Sequence, residues 1–235
     1  MSNAIILMYH NIGKPPKGVE TPNLYVTPRM FRFQMWYLKW AGFSVMTLPD
    51  LMHRVREEDK SSRMVSLTFD DGYRDFYENA YPVLNHYEYS STVFVTPGLM
   101  GRDNEWDSER ERVKKPLMDW TTVSEINKNN VTIGSHTMTH PSLVDISIHE
   151  VVRELIDSKK EIEKHINQPV DLFCYPYGKY NDRVRDEVKN AGYAGSVSTL
   201  RGSVTRPFDP YGLKRVPVKL TTNPLSFIHR LHRKY

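Results

Sequence analysis

Short apolar runs alternate along this chain with longer stretches in which apolar residues recur every three or four positions. The short runs predict strands near residues 5–9, 43–47, 65–69, 91–95, 131–134, 171–175, 194–198 and 213–218. Most of the intervals between them read as helices. Phe31, Met35 and Leu38 fall at helical spacing and stop at Gly42, a residue suited to the left-handed turn that ends a helix. Phe76, Ala80, Val83, Leu84 and Tyr87 mark a second helix, which Pro82 is placed to kink. Ser147 followed by Glu150 is a capping-box pattern, and Ile148, Val151, Leu155, Ile162 and Ile166 continue it as an apolar stripe. Val184, Val188 and Ala191, closed by Gly192, make a further short helix.

Strands interleaved with helices in this way predict an α/β fold: a distorted (β/α) barrel of about seven to eight strands, with residues 1–235 as a single domain. An open doubly wound sheet has the same periodicity and stays as the alternative. One regularity favours the barrel. His10, Asp70, Asp71, His136 and Tyr177 all fall at, or a few residues beyond, the C-terminal end of a predicted strand. A barrel gathers those ends on one face, where barrel enzymes place their chemistry. The polar stretch 101–115 is expected to form a long surface loop near that rim.

Composition narrows the picture further. An apolar share of 39% in 235 residues is enough for a core. No run approaches the ~18 uninterrupted apolar residues that span a bilayer, so no integral membrane segment is expected. The start of the chain lacks the basic flank of a secretion signal and reads as a first strand, which makes the cytoplasm the default location. Cys174 is the only cysteine, which excludes an intrachain disulfide and a thiolate zinc cluster. Any metal must therefore be held by histidine and carboxylate. The net charge of +4 is dispersed except in the tail His229-Arg230-Leu231-His232-Arg233-Lys234. Nothing accompanies that tail to read bases, so it is expected to be a solvated helix end, with no nucleic-acid partner.

Two motifs together carry candidate chemistry. In Thr68-Phe69-Asp70-Asp71-Gly72, adjacent carboxylates at a strand end are costly to enclose unless a cation neutralises them, although an Asp-Gly turn capping the next helix explains the same letters. In His136-Thr137-Met138-Thr139-His140, imidazoles four apart can grip one ion from a single turn, although a lone pair at that spacing is commonly incidental. Required jointly, two histidines and a carboxylate make a facial set with open positions for water and substrate. A third run, Cys174-Tyr175-Pro176-Tyr177-Gly178, shapes a turn at a strand end and reads either as a pocket wall or as a packed aromatic loop.

These motifs resemble those of the polysaccharide deacetylases, carbohydrate esterase family four. The resemblance spans nearly the whole chain, since Tyr9-His10 and Arg215-Val216-Pro217 also fit. It implies a distorted barrel, one divalent ion (zinc, with cobalt or nickel also accepted) on Asp71, His136 and His140, and N-deacetylation of an N-acetylglucosamine-type carbohydrate. It further implies Asp70 as general base, the Tyr177 backbone as oxyanion donor, and Tyr175, Tyr177 and Arg215 on the substrate side of the site. The chain departs from the family pattern twice. Cys174 stands where many members carry an arginine that steers the catalytic aspartate, and Arg215 is the candidate to replace it. The C-terminal Leu-x-His motif that usually supplies the acid is missing. The Tyr9-His10 pair instead resembles the circularly permuted poly-N-acetylglucosamine deacetylases, which makes His10 the candidate acid.

Trp106 and Trp120 are candidates for a sugar groove, and Trp36 and Trp40 share a helix face opposite the core stripe; core packing explains each equally well. Two rival readings stay open: another metal-dependent amidohydrolase or phosphoesterase, and a non-catalytic carbohydrate-binding protein on the same scaffold. The missing arginine is the best support for the second, and the intact Asp70, Asp71, His136 and His140 argue against it.

Overall fold

The computed structural model describes residues 4–59, 63–107 and 113–233. In chain order its strands are β1 (Ala4–Tyr9), β2 (Asn11–Ile12), β3 (Tyr25–Val26), β4 (Ser44–Val45), β5 (Met64–Phe69), β6 (Ser91–Val95), β7 (Val131–Ser135), β8 (Leu172–Cys174), β9 (Gly195–Arg201) and β10 (Leu213–Pro217). Its α-helices are α1 (Pro28–Trp40), α2 (Leu48–Arg56), α3 (Tyr81–His86), α4 (Trp120–Asn127), α5 (Ile148–Ile166), α6 (Asp182–Asn190) and α7 (Pro224–His232).

The sheet closes. β1 pairs in parallel with β5 from Ala4↔Met64 to Tyr9↔Phe69, and on its other edge with β10 through Leu7↔Val216. The ring β1-β5-β6-β7-β8-β9-β10 is parallel throughout, which makes a seven-stranded barrel in one domain and excludes the open sheet. The strand expected at 43–47 shrinks to Ser44–Val45 and stands outside the ring. It pairs with β5 at Met64 and Val65, while β6 pairs with β5 only at Thr68 and Phe69. Since β1 occupies one whole edge of β5, β4 and β6 must share the other. The barrel is therefore split between β5 and β6 at its lower end.

Period-two alternation decides which side chains enter the barrel. In β5, Val65, Leu67 and Phe69 join the layer between barrel and helices, where they meet Ile5, Leu7 and Tyr9 of β1. The opposite face of the strand carries Ser66, Thr68 and then Asp70, all buried. The lower interior is apolar: Ala4, Ile6, Met64, Phe94, Leu172 and Val197 pack with Leu48, Leu51, Met52 and Val55 of α2, which plugs that end. Chemistry is thereby confined to the upper end.

The expected helices are present. Thr27 caps α1, and Gly42 at φ 69° follows it. The Ser147–Glu150 capping box closes the start of α5 reciprocally. Pro82 does not kink a long α-helix. A π-helical turn over Phe76–Ala80 precedes α3 and leaves Pro82 in the first turn of α3, where its missing N–H costs nothing. The tail forms a helix end: in α7, His229 and His232 are exposed while Phe227 and Leu231 are buried, the Tyr37 hydroxyl and His232 Nε2 lie 3.1 Å apart, and Lys234 lies outside the described residues. The described residues of the stretch 101–115 lie mostly at the surface, with Gly101, Arg102, Glu105 and Lys114 exposed, and two of them anchor it. Asn104 and Lys115 are buried, Lys115 Nζ donates to Thr21 Oγ1 at 3.0 Å, and residues 108–112 lie outside the described residues. Among the described residues no helix is long and apolar enough to cross a membrane.

Candidate active site

Asp70 and Asp71 leave the top of β5 in different directions. The Asp70 N–H donates to Tyr9 O at 3.0 Å, which continues the β1–β5 ladder and sets its side chain on the barrel's inner face. Asp71 then turns into the left-handed region at φ 75°, followed by Gly72 at φ 72°. Asp71 and, in the histidine loop, Thr137 (φ 68°) and His140 (φ 65°) are non-glycine residues in that sparsely populated region, as is Tyr177 (φ 58°). Such strain persists only where the surroundings over-determine it, and it gathers at functional sites.

β7 delivers His136, and the following turn brings back His140. The Thr137 hydroxyl donates to the His136 carbonyl and accepts from His140 N–H at 3.0 Å, which closes the turn. His136 Nδ1 lies 2.7 Å from the Cys174 carbonyl, so Nδ1 carries the proton and Nε2 presents a lone pair. His140 is held differently. Its Nδ1 has no hydrogen-bond partner among the described residues, but its ring is stacked on Trp106 (centroids 4.5 Å apart) and meets Tyr177 edge-on at 4.8 Å.

Three donor atoms converge. His136 Nε2 is 3.3 Å and His140 Nε2 3.4 Å from Asp71 Oδ1, and the two nitrogens are 3.2 Å apart. Ligand atoms about 2.0–2.1 Å from a tetrahedral ion of zinc's size lie about 3.3 Å from one another. The donor set therefore fits one small divalent ion, with a face left open. Burial alone would raise the Asp71 pKa; the His136 and His140 imidazoles facing it hold it well below the usual carboxylate range.

Asp70 stands beside this set and is gripped from inside the barrel. Arg215, wholly buried on β10, donates from Nη1 to Asp70 Oδ1 and from Nη2 to Asp70 Oδ2, both at 2.7 Å. Its other donors reach Ser198 O (2.9 Å), Thr68 Oγ1 (3.1 Å) and Cys174 Sγ (3.3 Å). The guanidinium thus lies against Cys174 and grips both oxygens of the Asp70 carboxylate. Burial pushes the Asp70 pKa up, but the charge and hydrogen bonds of Arg215, helped by His10 and His136, hold it below the ordinary value. His10 Nε2 lies 3.7 Å from Asp70 Oδ2 at the rim.

The structure places two of the residues expected on the substrate side inside the protein. Arg215 has all five donors committed to the protein. Tyr175 is fully buried, donating to Tyr211 O at 2.9 Å and accepting from Ser196 Oγ at 3.0 Å. Neither offers a surface to a ligand. Tyr177, 45% exposed, does. Gly178 must be glycine, because a Cβ there would sit 1.9 Å from Thr199 Oγ1. Of the tryptophans, Trp106 belongs to the site through His140, Trp120 stacks on His165 at 3.9 Å, and Trp36 and Trp40 are exposed and stacked on each other at 6.0 Å. Glu154 of α5 holds the histidine loop by three hydrogen bonds that the motifs did not announce; the capping box and apolar stripe mark only the helix that carries it.

A closed parallel barrel with an Asp-His-His donor set and an arginine-held carboxylate at its mouth defines a class of single-domain barrel with a site suited to a cation. The particular family follows from comparison: the chain belongs to the polysaccharide deacetylase family, whose model matches residues 57–196. It is 27% identical to a Streptococcus pyogenes deacetylase, PplD, solved in complex with acetate, with a TM-score of 0.85 over 98% of this chain and 99% of that one. The Bacillus cereus polysaccharide deacetylase BC0361 is 26% identical, with a TM-score of 0.80 over 98% of this chain and 69% of that one. The poly-β-1,6-N-acetyl-D-glucosamine N-deacetylase of Staphylococcus aureus is 25% identical over 92% of this chain and 78% of the relative. The matched segment contains Asp70, Asp71, His136 and His140 but neither His10 nor Arg215. His10 directly follows β1 and Arg215 lies on β10, and the two strands are neighbours in the ring.

Proposed function

We propose that the chain is a metal-dependent hydrolase that removes N-acetyl groups from N-acetylglucosamine units of a carbohydrate polymer or oligomer. The triangle of Asp71, His136 and His140 with Asp70 alongside carries this reading, because a site that only bound sugar would not need a buried carboxylate pair. Asp71, His136 and His140 would hold the ion, with zinc favoured by the nitrogen-rich tetrahedral geometry. Such an ion supplies Lewis acidity to the acetamide carbonyl and to the attacking water.

The remaining steps fall to the chain itself. Asp70, kept ionised by Arg215, takes the proton of the attacking water as general base. His10 gives a proton to the departing amine, which would otherwise be a very poor leaving group. The Tyr177 N–H donates to the oxyanion, a contribution of about 3 kcal/mol for such donors. Its left-handed backbone and its ring contact with His140 support that role. The substrate assignment leans on the relative that acts on poly-β-1,6-N-acetyl-D-glucosamine. The purely binding alternative loses its main support, since Arg215 supplies the guanidinium that Cys174 does not.

Acetate release from β-1,6-linked and β-1,4-linked N-acetylglucosamine oligomers tests the reading. Release that chelator abolishes and added Zn2+ restores is expected. Release unaffected by chelator would remove the metal from the account, and none from any N-acetylated glycan would remove the activity.

A further inference from the structure

We infer that Glu154 is a positioning residue for the ion site, acting as a clasp that holds the turn between His136 and His140 in its ligand-presenting shape. The inference rests on the reading that this site takes a divalent ion. Within the turn, Thr137 and His140 adopt left-handed conformations, so the segment has no intrinsic preference for the shape that aims both Nε2 atoms at Asp71. The Thr137 hydroxyl ties the two histidines together locally but leaves the N–H groups of Met138 and Thr139 to be satisfied elsewhere.

Both go to one carboxylate. Glu154 Oε2 accepts from Met138 N at 2.6 Å and from Thr139 N at 2.9 Å, and Oε1 accepts from the Thr139 hydroxyl at 2.6 Å. Packing does not hold this side of the turn. Met138 and Thr139 border a cavity shared with Pro141, Ile146, Glu150 and Asp157, and Thr139 is exposed. The opposite side is fixed by Gly98, whose N–H donates to the Met138 carbonyl at 3.0 Å and whose missing Cβ leaves room for that oxygen. The turn is thus held between Gly98 and Glu154. Glu154 itself sits on α5, a 19-residue helix anchored by its own capping box and by buried Val151, Leu155 and Ile162. A rigid element therefore transmits its position to two ligands whose motif does not contain it. Partners one step removed from a metal ligand are typically worth about 10- to 100-fold in metal affinity.

The test compares the full-length wild type with Glu154→Ala, Glu154→Gln and Thr139→Val. Zn2+ binding is measured by competition with a chromophoric chelator, and amide hydrogen exchange at 138 and 139 is measured in the metal-free proteins. Glu154→Ala should weaken Zn2+ binding about 10- to 100-fold and speed exchange at both amides, with circular dichroism unchanged. Glu154→Gln, which keeps an acceptor oxygen for the two N–H groups, should recover most of the affinity. Thr139→Val, which removes only the hydroxyl bond, should shift it less than Glu154→Ala does. Wild-type affinity in Glu154→Ala, or a Gln variant as weak as the Ala variant, overturns the inference while leaving the functional reading in place. A wild-type chain that takes up no Zn2+ overturns the functional reading and the affinity claim together.

Discussion

Arg215→Met is the most informative single perturbation of the barrel interior. Wild-type Asp70 is wholly buried, and its carboxylate is kept below the usual range because the charge and paired hydrogen bonds of Arg215 outweigh burial. Removing the guanidinium leaves burial unopposed by its main partner, so the Asp70 pKa rises. Breaking a buried pair from one side costs about 3–5 kcal/mol. At about 2–4 °C per kcal/mol for a chain of this size, Tm should fall by roughly 6–20 °C. The pH dependence should also change sign. In the wild type, the stability from ionised Asp70 is present above its unfolded pKa and is lost as pH falls through the depressed folded value. In Arg215→Met the folded value is raised, so the contribution is present at low pH and is lost as pH climbs through it.

Catalysis should show the same shift. The acid limb of the kcat/KM profile should move upward, and turnover at neutral pH should fall about 10²- to 10⁴-fold as the base is protonated and loses its aim. Asp70→Asn/Arg215→Met removes the uncompensated charge, so it should regain much of the stability and none of the activity. Thermal unfolding and pH–rate profiles read these outcomes. An Arg215→Met enzyme with an unshifted acid limb and near-normal kcat/KM would refute the reasoning.

The adjacent carboxylates should separate cleanly: Asp70→Asn keeps ion affinity and loses turnover, whereas Asp71→Asn loses the ion, as Zn2+ titration of each would show. Equal losses in both would contradict the division of roles. His10→Ala should lower kcat about 10²- to 10⁴-fold with ion binding intact; near-normal turnover would count against it as the acid. Asp75 is half-buried and its pKa is raised from 3.8 to about 6, chiefly by loss of hydration. Its stabilising contribution is therefore complete below its unfolded pKa and is lost as pH rises through about 6. Asp75→Asn should gain about 3 kcal/mol on wild type between pH 3.5 and pH 7, measured by urea unfolding, and a pH-independent difference would be the contrary result.

The sequence revealed those parts of the fold and site that are written locally. The Asp-Asp-Gly and His-x₃-His runs marked Asp70, Asp71, His136 and His140 because each is a short continuous segment at a strand end. Closure was not legible in periodicity, because the β1–β5 and β1–β10 pairings join segments far apart in the chain. The division of the β5 edge between β4 and β6 was hidden for the same reason. Arg215 could be nominated because a charge missing at Cys174 must be replaced from somewhere, but its use of every donor inside the protein became visible only in three dimensions. Trp106 shows the opposite limit: as a loop tryptophan it suited a sugar groove, and the fold stacks it on His140. Glu154 belongs to no motif, because two of its three partners are backbone N–H groups, which leave no trace in side-chain patterns.

The most direct test is an anomalous-difference map, recorded at the zinc absorption edge, from a crystal of the full-length protein equilibrated with Zn2+. The account predicts one strong peak about 2.0–2.2 Å from His136 Nε2, His140 Nε2 and an Asp71 carboxylate oxygen. Asp70, His136 and Cys174 form a second group of converging donor atoms. A peak there, or no peak at the mouth of the barrel, would contradict it.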